Sequence, residues 1–267
     1  MRIGLIGCGA LGSYIARDVK RGVAGDYEVA GVFDAPSPDR ATALAEELGC
    51  RAAGTIGELL DTRPAIVVEA ARREAVWEYA ELCVEAGASL IVLSSGAFAD
   101  PEFKRRLTEL AGSRGTRIYV PAGAVGALDL VQAASTGEFH VHIATAKPPA
   151  ALVGAPYIKG IDLGGLTGPM TVFKGTVNEG IEAFPQNINV AVSTALAAGD
   201  PSKVSVSVSA DPSLSVNVHR LDIEGEFGKA TIEISSKAVP GNPKSSALGA
   251  MSVIALLRKI ASPFQVG

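Results

Sequence analysis

The stretch Arg2-Ile3-Gly4-Leu5-Ile6-Gly7-Cys8-Gly9-Ala10-Leu11-Gly12-Ser13-Tyr14-Ile15-Ala16 decides the first half of the fold. It opens as a short apolar run, turns through Gly7, Cys8 and Gly9, and continues with Leu11, Ile15 and Val19 at helical spacing. Gly7, Gly9 and Gly12 complete G-x-G-x-x-G at a strand-to-helix junction. In that pattern the first glycine permits the tight turn and the second lets backbone approach a pyrophosphate. The third lets the helix pack close on its strand. The helix start, with the N–H groups of Ala10 and Leu11, is an anion site by geometry and dipole. A second apolar run, Val29 to Phe33, ends at Asp34, where such units carry an acid for a ribose hydroxyl. A carboxylate there favours NAD, and the nearby Arg40 leaves NADP open.

The bulk composition narrows the partners. The 267 residues are 48% hydrophobic and 19% charged, with a net charge of −4. An acidic chain without a basic run is not expected to bind nucleic acid or an anionic membrane. No apolar stretch reaches the roughly 18 residues that span a bilayer, and no secretory pattern opens the chain. A cytoplasmic location is expected. Cys8, Cys50 and Cys83 are odd in number and lack C-x-x-C spacing, so neither a disulfide framework nor a structural metal is expected.

Downstream of Asp34, apolar strands alternate with helices. Pro64 to Ala71, Ser89 to Ser95 and Thr116 to Val120 read as strands. The helix after Ala71-Arg72-Arg73 carries Val76, Trp77, Ala80, Cys83 and Val84 as its core residues. Such alternation predicts a doubly wound parallel sheet covered on both faces, with ligands beyond the carboxyl ends of its strands. Those ends are Gly7–Gly12, Ala70–Arg72 with Ala71 as a cofactor contact, Ser94–Ala97, and Pro121–Val125.

Near residue 124 the pattern changes. Glu138 to Lys147 alternates, with Phe139, Val141, Ile143, Thr145 and Lys147 on one face and His140 and His142 on the other. The two histidines read as a surface pair, since no third ligand accompanies them. Further strands are read at Met170–Val177, Lys203–Ala210, Leu214–Glu224 and Gly228–Ala238, the last two a hairpin. This predicts a second α+β domain with a mostly antiparallel sheet. Asn242 and Pro243 read as N-cap and first turn of a long apolar C-terminal helix. The expected division is 1–123 for the nucleotide domain, 124–240 for substrate binding and assembly, and 241–267 for a helix returning to the first domain or to the interface. An open antiparallel sheet gives such a chain a way to form a homodimer.

Three polar features stand out in the second half. In Val216 to Ile223, Asn217 and His219 share a face with Leu221 and Ile223, so the inner face turns polar at its upstream end. A neutral imidazole there can move a proton; a hydrogen-bonded structural histidine is the plainer alternative. In Phe184-Pro185-Gln186-Asn187-Ile188-Asn189, two amides sit at a helix start, as caps or as ligand contacts. Lys147, on an otherwise apolar face, is either a carboxylate binder or a strand-end lysine reaching water.

Taken in order, several of these segments are similar to the L-aspartate dehydrogenase family over essentially the whole length. They are Gly7–Gly12, Ser94-Ser95-Gly96-Ala97, Gly123-Ala124-Val125-Gly126-Ala127-Leu128-Asp129, Thr145-Ala146-Lys147-Pro148-Pro149, Phe184–Val190, Val218-His219 and Asn242-Pro243-Lys244-Ser245-Ser246. The resemblance implies NAD(P)-dependent oxidation of L-aspartate to iminosuccinate, reversible as reductive amination, and a link to NAD biosynthesis. It implies His219 as the active-site histidine, with Ala124 and Asn189 at cofactor-contact positions. Lys147 and Asn187 are the substrate-binding candidates that accompany it, and no metal is called for. Ala71-Arg72-Arg73 departs from the smaller, less charged turn the family leads one to expect. A related two-domain reductase of another aspartate-derived substrate is the competing enzyme reading, and a non-catalytic dinucleotide sensor is the competing binding reading.

Overall fold

A computed structural model describes residues 1–184, 189–239 and 242–266. The chain forms two compact units, one of residues 1–121 with 249–267 and the other of residues 122–248.

In the first unit, strands and helices alternate as β1 (Arg2–Ile6), α1 (Ala10–Lys20), β2 (Glu28–Phe33), α2 (Pro38–Leu48), β3 (Arg51–Ala53) and α3 (Ile56–Leu60). They continue as β4 (Ile66–Glu69), α4 (Arg73–Glu85), β5 (Ser89–Val92), α5 (Pro101–Arg114) and β6 (Ile118–Tyr119). The sheet order is β3-β2-β1-β4-β5-β6, with every neighbouring pair parallel. This is the doubly wound dinucleotide-binding arrangement, and its strand order reverses between β1 and β4. Ile3, Leu5, Val68 and Ile91 are buried because helices cover both faces, which is why these strands read as unbroken apolar runs.

Helix α4 differs from the expectation in one residue. Ala75, Val76, Ala80, Cys83 and Val84 are its buried stripe, while Trp77 is 43% exposed. Trp77 lies just off the stripe. Its indole Nε1–H donates to the carbonyl of Ala97 at 3.1 Å, and the Arg73 guanidinium lies 5.4 Å from its ring centroid.

The second unit contains α6 (Leu128–Ala134), β7 (Phe139–Lys147), α7 (Pro149–Leu152), β8 (Met170–Thr176) and α8 (Val177–Ala183). After these come α9 (Asn189–Ala198), β9 (Val204–Ala210), β10 (Asn217–Gly225) and β11 (Gly228–Ser236). The five-stranded sheet runs β11-β10-β7-β9-β8. Its pairs are antiparallel except β7 with β9, so the mostly antiparallel second sheet is what the chain forms. Val141, Ile143, Leu221, Ile223, Val204, Val206 and Val208 fill its inner face, against Phe184, Ala191 and Val192. Helix α8 was not anticipated, although Thr176 and Glu179 form a complete capping box at its start.

The reading of Asn242 and Pro243 as a helix start is overturned. Residues Ala238–Val239 (β12) and Asn242–Ser246 (β13) form a small antiparallel ribbon. The helix α10 (Ala247–Ala261) begins after it. Ser246 does the capping instead, its hydroxyl accepting from the Leu248 N–H at 3.1 Å. A proline that suits the first helical turn also suits an edge strand, and here the ribbon prevails. Ala250, Val253, Ile254 and Leu257 of α10 join the core of the first unit with Ile15 and Val19, and the Tyr27 hydroxyl donates to the Leu257 carbonyl.

Candidate active site

The glycine turn between β1 and α1 is built as its spacing requires. Gly7 has φ +94, and its N–H donates to the Phe33 carbonyl at 2.8 Å. A Cβ on Gly7 would lie 2.8 Å from the Ala70 backbone, and one on Gly12 would lie 1.9 Å from the Gly7 carbonyl oxygen. Gly9 is different. Among the described residues a Cβ there would meet only the Arg40 Nη1, at 4.0 Å, so the space beside this backbone is open to that extent. Gly9 also precedes a helix with no side-chain cap, which leaves the first-turn N–H groups of Ala10, Leu11 and Gly12 without intrahelical acceptors. An open approach to bare backbone N–H groups at a helix N-terminus fits a dinucleotide pyrophosphate.

Asp34, buried at the end of β2, accepts from the Cys8 N–H at 2.9 Å and so fixes the turn. The Arg40 guanidinium lies 4.0 Å from the same carboxylate and donates to the Ser37 hydroxyl. Burial, with the Asp34 charge beside it, pushes the Cys8 thiol up to about 12. Cys8 is therefore a small neutral residue and not a nucleophile.

Glu69 is a residue the sequence reading missed. It closes β4, is fully buried, and holds two loops at the carboxyl ends of the sheet. One carboxylate oxygen accepts from the Ala71 N–H at 2.8 Å and from the Ser94 hydroxyl at 2.7 Å. The other accepts from the Ser94 N–H at 3.0 Å. Burial raises its pKa, and these donors oppose the rise. The only signal in sequence was a lone acid ending the apolar run Ile66-Val67-Val68. Ala71 is exposed, with Arg72 and Arg73 beside it, both within ion-pair range of Glu74.

In the second unit, a row of polar side chains lies on the inner face of the sheet at one end. Thr145 and His219 are cross-strand partners of β7 and β10, and His219 is 3% exposed. Its Nδ1 lies 3.0 Å from the Thr145 hydroxyl. Lys147 follows two residues later on the same face and is also buried. Burial pulls the Lys147 ammonium down to about 8. Burial, and then the Lys147 charge, pull the His219 imidazole down to about 4. His219 is thus neutral at physiological pH, and Lys147 lies within reach of titration there. Asn217 on β10 and Ser236 on β11 complete the row as a cross-strand pair, both buried.

The remaining candidates are placed as follows. Ala124 is half-buried in the turn after Gly123, which has φ +65. Asn189 is half-buried and opens α9. Asn187 lies outside the described residues. His140 and His142 lie on the opposite face of the sheet, bonded to the hydroxyls of Ser205 and Ser207 at 2.9–3.0 Å. Among the described residues no three His, Cys, Asp or Glu side chains stand together as a metal site, and no helix is long and apolar enough to cross a membrane.

Two family models match the chain. Residues 7–121 match the NAD-binding domain described for homoserine dehydrogenase, and residues 129–260 match the C-terminal domain of aspartate dehydrogenase. The L-aspartate dehydrogenase of Methanosarcina mazei is 40% identical over 271 aligned positions, covering 100% of this chain and 99% of that protein. The chain belongs to the aspartate dehydrogenase family. The L-aspartate dehydrogenase of Methanosarcina barkeri is 39% identical with the same coverage. The crystal structure of the aspartate dehydrogenase from Thermotoga maritima superposes with a TM-score of 0.73 at 28% identity, covering 100% of this chain and 99% of that one. As a member of the aspartate dehydrogenase family, the protein is an amino-acid dehydrogenase dependent on a nicotinamide dinucleotide, with NAD as its cofactor.

Proposed function

We propose that the protein oxidises L-aspartate at Cα to iminosuccinate, which water converts to oxaloacetate and ammonia, and that it runs in reverse as a reductive amination. The observation that carries this reading is the buried row Thr145, Lys147, Asn217 and His219. It provides a proton acceptor beside a cation, as an amino acid with two carboxylates requires. When bound, NAD supplies the hydride acceptor. The Gly7–Gly12 turn, with the N–H groups of Ala10 and Leu11, would hold its pyrophosphate, and Asp34 would hold a ribose hydroxyl. Ala71, Ala124 and Asn189 would be further contacts.

The chain's own chemistry concerns protons and charge. The amine of the substrate must be neutral for hydride to leave Cα, and the product imine forms with loss of an N–H proton. His219, neutral and buried, accepts that proton at Nε2 when its Nδ1–H donates to the Thr145 hydroxyl. Thr145 thereby holds the ring in place, and the tautomer with its proton on Nδ1 leaves Nε2 free to accept. Lys147 holds a carboxylate while it is charged. Asn187 is a second substrate contact in this reading.

Mixing the protein with L-aspartate and either NAD or NADP at alkaline pH, and following absorbance of the reduced cofactor, tests the proposal. Turnover of a different amino or hydroxy acid, with none of aspartate, would overturn it. Use of NADP has its own support in Arg40, whose guanidinium stands over Gly9 and beside Asp34. The reading extends to a cytoplasmic enzyme whose iminosuccinate can feed NAD biosynthesis. It also extends to a homodimer formed through the second sheet, whose edge strands are β8 and β11.

A further inference from the structure

Strand β11 alternates between exposed and half-buried residues until its last position. Ser236 there is 7% exposed and is the one buried residue of the strand. Its hydroxyl oxygen is fully enclosed and has no hydrogen-bond partner among the described residues. Burying a hydroxyl unpaired is unfavourable, and buried polar side chains nearly always find a partner. Neighbouring serines show how readily this sheet satisfies them: Ser205 and Ser207 bond to the histidines of β7.

Ser236 lies at the polar end of the inner face. It is the cross-strand partner of Asn217, while His219, two residues along β10, pairs with Ile234. Ser236 therefore shares the inner face with Asn217 and His219, diagonal to the imidazole at about 7–8 Å between backbones. Lys147 lies at the same end of β7. The row thus has a cation on one strand, the imidazole and an amide on the next, and an unpaired hydroxyl donor on the third.

We propose that the Ser236 hydroxyl, beside the Asn217 amide, donates to one carboxylate of a dicarboxylate substrate, forming a carboxylate subsite distinct from the one at Lys147. The inference rests on the dehydrogenase reading above for its substrate class. It gives the site a way to tell a two-carboxylate amino acid from one that lacks the second group, because an unmet Ser236 donor disfavours the shorter ligand.

The test compares wild type with Ser236→Ala and Ser236→Thr in two measurements. One is the steady-state KM for L-aspartate; the other is the rise in Tm caused by succinate, a dicarboxylate without the amine. In Ser236→Ala the expected KM for aspartate is about ten- to a hundredfold higher, the scale for losing one hydrogen bond to a charged acceptor. The KM for NAD stays within about twofold, the succinate-induced rise in Tm is lost, and the ligand-free Tm is equal or higher. Ser236→Thr retains the donor and restores most of both effects. An unchanged KM and an unchanged succinate response in Ser236→Ala would overturn the subsite. So would a ligand-free Tm lowered by several degrees, since the hydroxyl would then be paired inside the fold. The two readings fail separately. A wild type that is stabilised by succinate through Ser236 but does not oxidise aspartate keeps the subsite and loses the reaction. A wild type that oxidises aspartate without any effect of Ser236 keeps the reaction and loses the subsite.

Discussion

The Nδ1 of His219 lies 3.0 Å from the Thr145 hydroxyl, and the two residues are direct cross-strand partners. Because the backbone register sets this pairing, the ring can be perturbed from either side. Replacing His219 with Ala is expected to reduce turnover of L-aspartate by about 10²–10⁴-fold, with NAD affinity unchanged by fluorescence titration. Thr145→Val is expected to lower kcat by about tenfold or more, and Thr145→Ser to recover most of it. Equal kcat in Thr145→Val and wild type would show that the hydroxyl does not position the imidazole for catalysis.

Acid should destabilise the fold through the same imidazole. His219 titrates near 4 when folded and near its ordinary value of 6.5 when unfolded. Between those values the unfolded chain binds more protons, so stability falls as pH drops from about 6.5 to about 4. The full loss is about 3 kcal/mol. Thermal melts of wild type and His219→Gln across this range should converge or cross at the acid end. Parallel curves would show that the folded imidazole titrates normally.

Lys147 should set an alkaline limb. Its ammonium titrates near 8 in the free protein, so the charge that holds a carboxylate is present below that pH and lost above it. The kcat/KM profile for aspartate, which reports free-enzyme groups, is expected to turn down above about pH 8. Lys147→Arg keeps its charge and should remove that limb, while Lys147→Met should lower kcat/KM by about 10²-fold at neutral pH. A limb retained in Lys147→Arg would assign it elsewhere.

Gly9 and Gly12 should part company on substitution. Alanine at Gly9 meets open space, whereas alanine at Gly12 strikes the Gly7 carbonyl. Gly9→Ala is expected to keep Tm within about 2 °C while weakening NAD at least about tenfold, because the methyl occupies the pyrophosphate's approach. Gly12→Ala is expected to lose several degrees of Tm as well, on the scale of overpacking. Full NAD affinity in Gly9→Ala would place the pyrophosphate elsewhere.

What could be read from the sequence depended on whether the signal was local. The glycine turn, Asp34 and the strand alternation of the first unit are short-range patterns, and all appear where their spacing puts them. The alternation of β10 was enough to put Asn217 and His219 on the buried face. Glu69 escaped because its partners are backbone and hydroxyl groups of Ser94, 25 positions away. Ser236 escaped because register, not spacing, sets it opposite Asn217. Asn242-Pro243 misled because cap-and-proline chemistry is shared by helix starts and edge strands. The true cap, Ser246, lay four residues on.

The helix α10 ties the last part of the chain to the core of the first unit, and this has a consequence for synthesis. Strands β1 to β6 leave the ribosome long before Ala250, Val253, Ile254 and Leu257, which share a core with Ile15 and Val19. Residues 122–248, by contrast, hold their own core within one continuous segment. The second unit is therefore complete in sequence before the first, whose core still lacks the residues of α10. Until α10 is made, the face of the first unit that receives Ala250, Val253, Ile254 and Leu257 is an uncovered apolar surface, open to chaperones and proteases.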